Sequence, residues 1–83
     1  MKRLKKSVFL KMSRLAIKPE KLLKILIKYY NFKIVRQKGS HIFITNFEHS
    51  TTIPMHGGEL DQGTLNAILK QAGLTKDDIL KYV

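Results

Sequence analysis

Three histidines, His41, His49 and His56, are the side chains that ordinarily titrate near neutral pH in this 83-residue chain, which has no Cys. His41 follows Arg36-Gln37-Lys38-Gly39-Ser40, so an imidazole stands beside two cations, a glycine and a hydroxyl. That set suits a phosphodiester. An imidazole can take the proton from a ribose 2′-OH or hand one to a leaving 5′-oxygen, which lets RNA be cut without a metal. Arg36 and Lys38 can bind the scissile phosphate, Gly39 permits positive φ and close backbone approach, and the Ser40 hydroxyl can bond a phosphate oxygen. His56, followed by Gly57-Gly58, offers a second imidazole or bare backbone N–H groups for binding or catalysis. His49, between Glu48 and Ser50, reads as a solvated turn residue. On spacing alone a plain reading stays open, in which Gly39, Ser40 and His41 are turn residues and nothing more. The histidines lack the close spacing of metal motifs and the carboxylates are scattered, so neither a metal nor a cofactor is expected.

Charge points to the same class of partner. The formal net charge is +10, and it is lopsided. Residues 1–38 carry ten Lys and three Arg against Glu20, net +12, whereas residues 39–83 carry Lys70, Lys76 and Lys81 against five carboxylates, net −2. The basic half is the expected anion-facing half, with nucleic acid the default polyanion and a solvated lysine-rich face the alternative. Lys70 is a further candidate RNA contact if it lies on the open side of its helix. No run approaches the roughly 18 apolar residues of a membrane span, and Val8-Phe9-Leu10 is too short for a secretory signal. A cytoplasmic protein is expected.

These residues must be placed by a single small domain, since chains divide into separate cores only at greater length. Residues 1–11 hold five basic and no acidic side chains and read as an extension, either a basic arm or the product of an upstream start codon; the domain proper is expected over residues 12–83. Pro19 and Glu20 suit a helix start, and Leu22, Leu23, Leu26, Tyr29 and Tyr30 give an apolar stripe, so a helix is predicted to about Tyr30 with Asn31 ending it in the left-handed region. Tyr29, Tyr30 and Phe32 read as core. Residues 32–37 and 41–46, joined by Lys38-Gly39-Ser40, read as a β-hairpin, and residues 51–55 as a third strand whose Pro54 argues for an edge. Thr64 is the expected cap of a helix carrying Leu65, Ile68, Leu69 and Ala72, with Gly73 stopping it. Thr75-Lys76-Asp77-Asp78 resembles a capping box for a last short helix, from which Ile79, Leu80 and Val83 can dock on the core. The fold class is α+β: a two-layer α-β-β-β-α domain with a three-stranded antiparallel sheet and helices on one face, an order shared with double-stranded-RNA-binding folds.

Three blocks carry a resemblance. They are residues 35–41 (Val35 to His41), residues 51–58 (Thr51 to Gly58), and Gly63-Thr64-Leu65 with Ile68 to Leu74. In this order and at this length the chain resembles the HicA toxins from about Met12 to Leu80. The resemblance implies an endoribonuclease toxin that cleaves mRNA, folds like a double-stranded-RNA-binding domain and is silenced by a HicB-type antitoxin. The family's catalytic His falls on His41. Two departures stand out: Ile42 where many members have a second His, and Asn66 where an Arg is frequent. The expectation is therefore a metal-independent mRNA interferase with His41 as general base or acid and Arg36, Lys38, Gly39, Ser40, His56 and Lys70 touching RNA. A non-catalytic RNA-binding module of the same fold is the alternative.

Overall fold

The structure is a computed structural model, and it describes residues 14–83. The expected extension over residues 1–11 and its boundary at Met12 lie outside the described residues. The order of elements is α1 (Pro19–Tyr29), β1 (Lys33–Lys38), β2 (His41–Thr45), β3 (Ser50–Pro54), α2 (Gln62–Ala72) and α3 (Lys76–Leu80). This is the expected α+β order, with the three strands forming one antiparallel sheet in the order β1-β2-β3.

Pro19 sits in the first turn of α1, where its missing N–H costs nothing, and Glu20 and Lys28 lie at the ends that favour their charges. Asn31 leaves the helix at φ 62° and turns the chain into Phe32, which is buried. Along β2 and β3 burial alternates with the strand period. Ile42, Ile44, Thr51 and Ile53 face the helices, while His41, Phe43, Thr52 and Pro54 face the other way. Leu22 and Leu26 of α1, Leu65 and Ile68 of α2, and Ile79 of α3 join these strand residues in one core. Each such side chain contributes about 1.5–3 kcal/mol when fully buried. Thr51, the one buried polar residue on this face, donates to Gln71 Oε1 at 2.7 Å. Among the described residues no helix is long and apolar enough to cross a membrane.

Several details differ from the sequence-based expectations. The cap of α2 is Asp61, not Thr64: the Asp61 carboxylate accepts from Thr64 N–H at 2.8 Å and from the Thr64 hydroxyl at 3.1 Å, so the helix starts earlier. Gly73 does end α2, at φ 76°, with Leu74 N–H donating to Leu69 C=O and Gly73 N–H to Lys70 C=O, the paired bonds of a Schellman stop. The His49 ring packs so close to Gly73 that a Cβ there would lie 2.6 Å from it. The capping box of α3 is present, with Thr75 and Asp78 bonding reciprocally. Of the three apolar residues expected to dock from the last helix, Ile79 alone is buried; Leu80 at the end of α3 and Val83, beyond it at the end of the chain, are exposed. Tyr29 is exposed as well and stacks face to face on Tyr82 with centroids 3.7 Å apart, whereas Tyr30 packs against the core and donates its hydroxyl to Asp78 C=O.

The core also begins before the first helix. Leu15 and Ile17 are buried, and the chain there is held by two bonds between the Leu15 backbone and the Gln62 amide and by Leu60 N–H donating to Ile17 C=O.

Candidate active site

The hairpin that carries His41 is closed by two residues, Gly39 and Ser40. Gly39 takes φ 59° while Ser40 does not enter the positive region, the pattern of a turn with glycine at its first central position. A side chain at Gly39 would meet nothing within 4 Å, so the glycine is required by the backbone angle alone. Gln37 Nε2 donates to Gly39 C=O at 3.2 Å, and Ser40 C=O accepts from Met55 N–H, tying the turn to the end of β3. His41 is thereby the first residue of β2, with Lys38 directly opposite on β1 and Pro54 opposite on β3.

One irregularity decides where this face ends along β1. Ile34 pairs with Ile44, but Arg36 pairs with Phe43, so Val35 is an extra residue in β1. Without that bulge the alternation would carry Ile34 and Arg36 to the same face. The two-residue turn pairs Lys38 with His41 and Arg36 with Phe43, so Arg36 and Lys38 share a face with His41, Phe43 and Thr52, and the bulge turns Ile34, paired with Ile44, to the other face. These five residues line a shallow depression of about 170 Å³ on the helix-free face of the sheet. Its floor is Phe43, and the Arg36 guanidinium lies over that ring with its carbon 5.3 Å from the centroid. His41, Arg36 and Lys38 are all exposed. An anion entering from solvent meets two cations, an imidazole and, beside them, the turn backbone of Gly39 and Ser40.

His56 and Lys70 stand elsewhere. Neither lines the depression: His56 is exposed in the loop after β3, and Lys70 is exposed on α2, which packs on the opposite face of the sheet. The Asp61 carboxyl at the start of α2 is held below the usual carboxylate range chiefly by its hydrogen bonds from Thr64. His49 is taken up by the β2–β3 turn and its contact with Gly73. Among the described residues no three His, Asp or Glu side chains gather where they could hold a metal ion. Phe43 and Thr52 were not singled out in the sequence; the two-residue period counted outward from His41 selects Phe43, and the pairing of β3 then selects Thr52.

The molecule is thus a small two-layer domain that buries its core under one face of a sheet and displays an imidazole among cations on the other. The sequence model of the family described as HicA toxin of bacterial toxin-antitoxin matches residues 19–74, more than half of the chain, and the chain belongs to that family. It is the toxin member of a toxin–antitoxin pair, and its partner is a cognate antitoxin. No curated protein matches the chain.

Proposed function

We propose that the protein is an endoribonuclease that cleaves mRNA in the cytoplasm by proton transfer through His41, without a metal. The observation that carries this reading is the juxtaposition of His41 with Arg36 and Lys38 over Phe43 on an open sheet face. Arg36 and Lys38 hold the scissile phosphate, the guanidinium in two-point fashion and the ammonium as a point charge. The ribose 2′-oxygen loses its proton and attacks the adjacent phosphorus, the bond from phosphorus to the 5′-oxygen breaks, and that oxygen takes up a proton. His41 moves one of these two protons and water the other, since neither His49 nor His56 lines the depression. Phe43, partly covered by Arg36, gives a flanking base an aromatic surface. The turn N–H groups and the Ser40 hydroxyl bind non-bridging phosphate oxygens, and His56 and Lys70 contact RNA away from the scissile bond. A HicB-type antitoxin silences the enzyme by covering the His41 face with groups complementary to its charge.

The test is His41→Ala. Loss of a general acid or base costs about 10²- to 10⁴-fold in rate, while replacement of an exposed strand-end residue leaves stability nearly unchanged. Cleavage of a long RNA in EDTA should fall by that factor, induced growth arrest should disappear, and both RNA and antitoxin should still bind. His49→Ala should cut normally. RNA binding without cleavage by the wild-type protein would identify a non-catalytic RNA-binding module, and near-normal cleavage by His41→Ala would remove His41 from the chemistry.

A further inference from the structure

The outer side of α1 carries a second cationic feature that shares no residue with the His41 depression. Lys21, Lys24 and Lys28 recur at spacings of three and four, which places them in one stripe, and Lys18 precedes them by one turn. The stripe is concave. Lys21, Lys24, Ile25, Lys28, Tyr29 and Tyr82 line a recess of about 190 Å³, and Lys18, Glu20, Lys21 and Lys24 line a more open one of about 470 Å³. Lys21 and Lys24 belong to both, so the two form one groove along the helix, about 15 Å long from Lys18 to Lys28 at 1.5 Å per residue. The stacked Tyr29 and Tyr82 rings wall one end, and the Lys28 ammonium is held over Tyr29, 5.4 Å from its centroid.

We infer that this groove is a docking site for the phosphate backbone of single-stranded RNA, separate from the cleavage site. Like charges at these spacings work against a helix, and Glu20 is the one carboxylate that lines the groove. A long row of point charges suits successive phosphates better than one enclosed small anion. Lysine is depleted from protein–protein interfaces, whose centres are aromatic or apolar, whereas here lysine makes up half of the lining, four residues of eight. The groove lies in the helical layer and His41 on the bare face of the sheet, so RNA held here is RNA outside the scissile step: the groove retains long substrates and leaves short ones unaffected. This inference rests on the reading of the protein as an RNA-acting toxin.

The experiment compares the full chain with K21Q/K24Q/K28Q and K21R/K24R/K28R. Affinity for a long single-stranded RNA is measured against salt in the His41→Ala background, and kcat and KM are measured with His41 intact on the same RNA and on a short oligonucleotide. Removing three charges should make the logarithmic salt slope shallower by about 2, at about 0.7 per phosphate on single strands, and weaken binding at low salt by roughly tenfold. KM for long RNA should rise by a similar factor, with kcat and cleavage of the short oligonucleotide unchanged and the arginine variant like wild type. An unchanged slope and KM in the glutamine variant overturns the inference, as does loss of antitoxin affinity in place of RNA affinity. Should the wild-type chain cut no RNA while the slope still drops, the docking groove stands and the catalytic reading of His41 falls.

Discussion

Arg36 and Phe43 face each other across β1 and β2, and the ring does for the guanidinium what a second carboxylate would do at the expense of charge: it holds the group in place without neutralising it. An exposed Arg otherwise spends its time among many rotamers, and each phosphate encounter must order it anew. Phe43→Leu keeps an apolar residue on this face but removes the ring. An exposed cation–π contact is worth about 0.5–1 kcal/mol, so KM for RNA should rise by about two- to fivefold while kcat and thermal stability stay near wild type. An equal fall in kcat would mean that Phe43 acts in the chemical step instead. The cationic neighbours of His41 were legible from residue types five and three positions earlier. Their common face follows from the two-residue turn, which pairs Lys38 with His41 and Arg36 with Phe43; the bulge that turns Ile34 away from that face was not legible, because neither Val35 nor its neighbours carry a Gly or Pro that would mark it.

Among the elements, α2 has the most testable start. The Asp61 carboxylate binds the Thr64 N–H and hydroxyl in its charged form, and its pKa in the folded chain is therefore lowered. A lowered folded-state value contributes stability above the unfolded pKa, near 3.9, and that contribution is lost as pH falls through the folded value. Asp61→Asn retains a capping side chain but cannot titrate, so urea midpoints of the two proteins should converge as pH is brought from 6 down through that window. A wild-type midpoint that shows no larger acid dependence than Asp61→Asn would remove the charge of Asp61 from the account. Helix periodicity and turn residues made the element order and most boundaries readable, from Pro19 through the capping box at Thr75. The sequence points to Thr64 instead of Asp61 as the cap of α2 because Thr64 stands next to the apolar stripe, while Gly63 between it and Asp61 looks like a breaker. Leu15 and Ile17 give no sequence signal for a different reason: an extended segment pinned by Gln62 has too few residues to show a period.

For the whole molecule, the division of the chain into extension and domain becomes a question of where truncation starts to hurt. Deleting residues 1–11 leaves Leu15, Ile17 and their bonds to Gln62 and Leu60 in place, and the two-state melt of the remaining chain should be preserved. Deleting residues 1–18 removes two buried side chains, each costing about 2–5 kcal/mol when lost from a core, which is enough to unfold a domain of this size. Unfolding after the shorter deletion would show that residues 1–11 are integral. The sheet itself has a further consequence. Its core lies wholly under one face and its candidate chemistry on the other, so nothing that happens at the bare face has to pass through the packing. On the proposed function, a cover laid over His41 silences the protein without unfolding it, and its removal restores a finished surface at once. On that reading the interval between silence and action is a property of the cover, set by how fast it dissociates or is destroyed.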